Sequence, residues 1–434
     1  MVNPNKVHET LSQFQLVDGF PQVLDLEKSQ GVWLHDSCTG EDYLDFFTSF
    51  ASWPIGYNHP MMNDSDFLEK LSMVGSNNPA NSDIYTKEMA EFVEAFATHV
   101  TPSNFNHHFW VAGGALAVEN ALKTAFDWKA RKLGRSIEDS ADDLVILHLK
   151  DAFHGRSGYT LSLTNTDPVK TALFPKFNWP RFHNPTIIFD LDGNISNDIE
   201  SEESKSIEDI ENAFETFKDR IAAIIIEPMQ GEGGDNHFRT NFFKILRNYA
   251  DQNEALLIYD EVQTGFWGSG KPWLWQHHDV APDIAAFGKK TQVCGIYASN
   301  RIDEVKDNVF SLSSRINSTW GGNLVDMVRS KRFIDIIRSE NLGENISNQG
   351  QKFILGLRNI AASHNQITNV RGVGSLIAFT LPDGTIRDTM INNLLKNNIL
   401  ALKSGPTSIR FRLPLIISEE EVSTALERIE ASID

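Results

Sequence analysis

The chain has 434 residues, of which 41% are hydrophobic and 22% charged, an ordinary globular composition with room for a large core and more than one lobe. Its formal net charge of -19 argues against nucleic acid or an anionic membrane as a partner. Cys38 and Cys294 are the only cysteines, no apolar stretch approaches the roughly 18 residues of a membrane span, and the N-terminus has no apolar core of signal-peptide length; the expectation is a soluble, cytoplasmic protein without a disulfide framework.

In chain order, residues 1–60 read as a short helix followed by strand-like pieces at Gly31–His35 and Tyr43–Phe47 and a turn-rich loop at Ala51–Pro60. From about 61 to 310, strand and helix patterns alternate, which predicts an α/β unit with a parallel sheet. The predicted strands are Val145–Leu149, Thr186–Phe189, Ile221–Ile226, Leu256–Tyr259 and Ile284–Phe287. Thr240–Gln252 has near-helical apolar spacing and completes a βαβ unit. The acidic stretch Asn194–Asn212 reads as a solvated loop running into a helix. A long helix is predicted from Asn323 to about Arg338, and beyond it a smaller α/β lobe with strands at Gly374–Thr380 and Ser408–Leu413. The expected division is 1–60, 61–322 and 323–434, the middle portion carrying the cofactor.

Leu256–Lys290 is the segment richest in chemistry. One apolar run leads into Asp260, another into Gly288 and Lys289. Ligands bind at the carboxyl ends of parallel strands, so the carboxylate and the amine are expected to face one pocket. That pair is what pyridoxal 5'-phosphate (PLP) chemistry needs: a Schiff-base lysine and an acid partner for the pyridinium nitrogen. Asp260 also reads as a helix N-cap, and Lys289 and Lys290 compete for the amine role. Val262 could pack on the ring and Gln263 could bond its phenolic oxygen. Gly113 and Gly114 open a helix, an arrangement that can bind phosphate through free backbone N–H groups. In DAFHGRS, Phe153 and His154 could stack on the ring, and Arg156 could bind a carboxylate. Glu227 and Glu232 follow another predicted strand. No dinucleotide fingerprint, HExxH pair or Gly-x-Ser-x-Gly elbow is present, and no metal is expected.

The ordered set AGGALAVENALK, AFHGR, IIEPMQGEGG, LLIYDEVQTG, PDIAAFGKK, STWGGN and IRFRLPL resembles the class III, or ornithine-type, PLP-dependent aminotransferases from about residue 20 to the C-terminus. The resemblance implies fold type I: a large domain with a mostly parallel seven-stranded sheet and a smaller α/β domain built from both termini. It implies Lys289 as the Schiff-base residue, Asp260 on the pyridinium nitrogen, Gln263 on the ring oxygen and Phe153 on the ring face. Gly114 and Ala115 would hold the phosphate. Thr319 would reach the phosphate of a neighbouring subunit, which implies a homodimer. Arg156 and Arg410 would bind substrate carboxylates, with Arg412 a rival to Arg410 on the same strand face, and Glu232 would be the switch that pairs with the arginine. The family's usual Ser-Gly-Thr-Glu-Ala phosphate loop is here Gly113-Gly114-Ala115-Leu116-Ala117, so backbone amides must do more of the binding. With NSTWGGN and GKKTQVCG, this looks like the subgroup that moves the ε-amino group of L-lysine to 2-oxoglutarate. The alternatives are another ω-aminotransferase, acting on ornithine, 4-aminobutyrate or a diamine, or a PLP aminomutase.

Overall fold

A computed structural model describes residues 2–433. Three runs, Ile221–Ile226, Leu256–Asp260 and Ile284–Phe287, are apolar almost throughout because both of their faces are covered. They form the centre of a seven-stranded sheet ordered His107–Val111, Cys294–Ala298, Ile284–Phe287, Leu256–Asp260, Ile221–Ile226, Val145–Leu149, Arg181–Phe182. Cys294–Ala298 alone runs against the rest. Helix Gly114–Lys132 packs on one part of the sheet, and helix Thr240–Gln252 buries Phe242, Phe243 and Leu246 beside the central strands.

A four-stranded antiparallel sheet follows, in the order Thr368–Val373, Leu376–Thr380, Ser408–Arg412, Leu402–Ser404. Near the other end of the chain, Trp33–His35 pairs with Asp42–Asp45, which pairs in turn with Ile399–Leu400, so the two ends of the chain meet. Helix Leu324–Ser339, N-capped by Asn323, follows the large sheet.

Several expectations need correction. Thr186–Phe189 is not a strand: the sheet edge is the two-residue Arg181–Phe182, and Phe189 makes only an isolated bridge to Ile195. Proline at 180 and 185 bounds this edge and limits the ladder. Strands His107–Val111 and Cys294–Ala298 were unforeseen, because paired histidines and an internal glycine hide them. Gly295 is required there, since a Cβ would lie 2.1 Å from the Phe109 carbonyl oxygen of the paired strand. The acidic stretch is mostly helix, Ile199–Phe217, and is not wholly solvated: buried Glu203 accepts two hydrogen bonds from Arg239, at 2.8 and 2.6 Å.

Thr48, Ser49, Phe50 and Ala51 all have positive φ, at 43°, 52°, 58° and 66°. A left-handed turn of L-residues costs roughly 1–2 kcal/mol per residue, so its surroundings must hold it. The Asp45 carboxylate accepts the N–H groups of Phe47 and Thr48 at 3.0 and 2.7 Å, and the Tyr57 hydroxyl at 2.7 Å. The Thr48 hydroxyl donates to the Arg412 carbonyl, and the Gln292 amide donates to that of Ser52. Asp45→Ala strands these donors and is expected to lower stability by about 2–5 kcal/mol in chemical denaturation. An unchanged midpoint would mean that the turn is secured without Asp45.

Candidate active site

A cavity of about 510 Å3 lies at the carboxyl ends of the parallel strands. Gly114, Ala115, Phe153, Arg156, Glu232, Asp260, Gln263, Lys289 and Arg410 all line it. The register aligns Asp260 with Ala286, two residues before Gly288. Both strands therefore end at the same level, and Asp260 and Lys289 enter one mouth.

The two adjacent lysines diverge. Lys289 has φ +55° and lines the cavity. Lys290 points into the protein, where it is buried and donates to the Gln263 carbonyl at 2.5 Å. Burial lowers the Lys289 amine to about 8, and the positive charge of Arg410 adds to the effect, against the opposing pull of Asp260 and Glu227. An amine lowered this far has a substantial neutral, nucleophilic fraction near neutral pH.

Asp260 is held through both oxygens. Oδ1 accepts the Val262 N–H at 3.0 Å, and Oδ2 lies 2.8 Å from His154 Nδ1. A carboxylate only accepts, so Nδ1 carries the proton. His154 is thus a buried support for Asp260, and it lines the cavity together with Phe153. Glu227 accepts the N–H groups of Phe153 and Gly231 at 2.9 and 3.1 Å. Burial pushes its carboxyl up to about 7, and the nearby Asp260 adds to the effect.

Helix Gly114–Lys132 starts at this cavity. Its N-cap, Gly113, has φ +106° and no side chain to cap the first turn, so backbone N–H groups there are left for a ligand. Gly114 is tightly placed, since a Cβ would come within 2.8 Å of Val262. Gly155, at φ +117°, brings the Phe153–Arg156 loop down onto Ala115, where a Cβ would meet the Ala115 methyl at 2.6 Å.

Strand Ser408–Arg412 sends two arginines to the same place, as its period of two requires. Arg410 lines the cavity. Its Nη2 donates to Glu232 Oε2 at 3.1 Å, and its Nη1 to Gln263 Oε1 at 3.4 Å. Arg412 is paired inside the protein with Asp235 at 2.5 Å and also donates to Gln263 Oε1 at 2.7 Å. The geometry therefore separates the two rivals: only Arg410 faces the cavity. The sequence reading missed Lys170, which also lines the cavity and is bonded to Glu232 Oε1. Burial pushes the Glu232 carboxyl up, but Arg410 and Lys170 outweigh it and leave the group below its ordinary value. Arg156 is exposed at the cavity wall. Thr319 is exposed and does not line this chain's cavity.

This donor set suits PLP: an uncapped glycine-led helix start for the phosphate, a carboxylate anchored through both oxygens for the ring nitrogen, a lowered amine for the aldehyde, and Phe153 and Val262 as apolar walls. The model of the family described as aminotransferase class-III matches residues 17–433, and the chain belongs to this family of PLP-dependent enzymes. It is 47% identical over 432 residues to an L-lysine-epsilon aminotransferase of Mycobacterium tuberculosis, covering 99% of this chain and 96% of that one. It is 45% identical over 430 residues to the protein of the same name from Streptomyces clavuligerus, covering 98% and 94%. Its fold matches a solved structure of the lysine aminotransferase from M. tuberculosis with a TM-score of 0.95 and 46% identity, over 99% of both chains.

The lowered Lys289 amine has a measurable consequence. Deprotonation makes it reactive, so capture of added PLP by the apoprotein should speed up as pH rises towards about 8 and level off above it. Stopped-flow absorbance across pH 6–10 reads this directly. A rise that continues to about 10.5, the ordinary lysine range, would contradict a lowered amine.

Proposed function

We propose that the protein moves the ε-amino group of L-lysine to 2-oxoglutarate, releasing L-glutamate and 2-aminoadipate 6-semialdehyde, which cyclises to a piperideine carboxylate. The observation that carries this reading is Arg410, a buried cation inside the cavity that is already paired with Glu232. The two donors pose different problems. The reacting carbon of glutamate bears a carboxylate, whereas the ε-carbon of lysine does not. A site for glutamate needs a cation beside the reacting carbon. A site for lysine must neutralise that same cation, because leaving a buried charge unpaired is costly. Glu232 supplies the neutralising charge for lysine and turns aside for the keto acid. Arg156, at the exposed wall, serves both substrates by binding the far carboxylate. Identity of 47% and 45% to two lysine aminotransferases, against 30% to a 4-aminobutyrate aminotransferase and 22% to an ornithine aminotransferase, supports this reading over those two alternatives.

Bound PLP supplies an electron sink for the pair left when a proton departs from the amine-bearing carbon. The chain's residues do the rest. The N–H groups at Gly114 and Ala115 would hold the phosphate, and Phe153 would cover one ring face. Asp260, steadied by His154, would keep the ring nitrogen protonated, and the Gln263 amide would donate to the ring oxygen while its Oε1 stays with the arginines. Lys289 would anchor the cofactor through its lowered amine, and the free Nζ would serve as the base that takes the substrate proton. We infer that Thr319 acts in a neighbouring subunit of a homodimer, that residues 61–322 form the cofactor-binding unit between segments 1–60 and 323–434, and that the enzyme works in the cytoplasm. Among the described residues, no helix is long and apolar enough to cross a membrane.

Incubation with L-lysine and 2-oxoglutarate should give equal amounts of glutamate and trappable cyclic imine. Glutamate without imine, or much faster turnover with ornithine or 4-aminobutyrate, would overturn the substrate assignment. Glu232→Ala should slow the lysine half-reaction by tenfold or more in single-turnover spectra while the glutamate half-reaction persists, since a buried unpaired cation costs several kcal/mol. An untouched lysine half-reaction in that variant would sink the switch.

A further inference from the structure

Glu232 has two cationic partners. Arg410 holds Oε2 at 3.1 Å, and Lys170 holds Oε1. The two cations differ in freedom. The Arg410 side chain is 2% exposed and is further tied to Gln263, whereas Lys170 and Glu232 are 26% and 28% exposed. Lys170 sits on a four-residue helix, Pro168–Thr171, between the exposed side chains of Val169 and Leu173, with its ammonium 5.7 Å from the centre of the Phe153 ring. A flexible stem on a short surface helix can follow a moving carboxylate; a buried arginine on a central strand cannot.

We propose that Lys170 is the second seat of the switch: it holds the Glu232 carboxylate when a keto-acid carboxylate takes over Arg410, and so sets the balance between the two substrates. This rests on Glu232 acting as the switch. If Glu232 had Arg410 as its only partner, every release of the arginine would leave a partly buried carboxylate bare, and the closed state would be strongly favoured. With Oε1 already bonded to Lys170, turning away exchanges one of two partners and leaves the other in place. Both states then stay charge-paired, as a switch of near-equal populations requires. Lys170 is a positioning residue here: it acts through Glu232 and need not touch the substrate.

The test compares wild type, Lys170→Met, Glu232→Ala and the double variant. Two quantities are measured: single-turnover rate constants, for the PLP-loaded form with L-lysine and for the pyridoxamine-phosphate-loaded form with 2-oxoglutarate, and calorimetric binding of 2-oxoglutarate to the PLP-loaded form, which has no amino group to give. Lys170→Met should weaken 2-oxoglutarate binding about tenfold, the scale of one charge-assisted hydrogen bond, and shift the ratio of rate constants towards lysine by a similar factor. In the Glu232→Ala background, removal of Lys170 should have no further effect on either quantity. Lys170→Arg should restore most of the binding. Equal losses with both substrates would make Lys170 a substrate-binding group and overturn the proposal. So would unchanged 2-oxoglutarate binding, or a loss that persists without Glu232. If wild type does not react with lysine at all, the lysine assignment fails by itself, and the role of Lys170 is still decided by 2-oxoglutarate binding across the four proteins.

Discussion

The in-step parallel register of Ile221–Ile226, Leu256–Asp260 and Ile284–Phe287 is the constraint from which the site follows. The three runs are buried on both faces, so polar groups are admitted only where the strands end. Those ends coincide, and Glu227, Asp260 and Lys289 are driven into one poorly solvated mouth. The altered acidities of Glu227 and Lys289 are the electrostatic result. A carboxyl rises and an amine falls because water that would stabilise their charges has been displaced by the sheet's own core.

The second theme is how buried charge is compensated. Arg410 and Arg412 come from one face of one strand, yet they have opposite settings. Arg412 is closed off by Asp235, a pair in which both side chains are almost fully buried. Arg410 is answered by a carboxylate that is itself shared with a surface lysine. Gln263 links the two arginines through one oxygen, while Lys290 fixes its backbone carbonyl. The lysine that does not enter the cavity thus secures a residue that does. Gly231 belongs to the same arrangement, because a Cβ there would lie only 2.1 Å from Gln263 Oε1.

Much of this was legible in the sequence where local pattern and burial agree. The central strands and helix Thr240–Gln252 are strong patterns, and the structure has them within a residue or so of the expected limits; a glycine pair is a weaker signal, and the structure does open helix Gly114–Lys132 with it. Failures came where tertiary context decides. His107–Val111 has the composition of a partly exposed segment and becomes a strand only because Cys294–Ala298 pairs with it. Thr186–Phe189 has strand composition but no neighbour to pair with along its length. Asp260 and Lys289 were readable on the cavity wall because each follows an apolar strand run, whereas the roles of Glu232 and Arg410 came from the resemblance to the class III aminotransferases. Lys170 lies in a plain loop sequence, and nothing local distinguishes it from a surface lysine. Its partner is 62 residues away in the chain, a distance no spacing rule covers.

The left-handed turn at Thr48–Ala51 bears on how the protein is made. Ser49 and Phe50 line the cavity, and the turn that presents them is tied to the carbonyl of Arg412. A wall built early in the chain therefore depends on a strand made almost last. The turn has its Thr48 tie only when strand Ser408–Arg412 is docked, so a chain clipped before that strand would keep Asp260 and Lys289 and lose both Arg410 and the anchor of this wall.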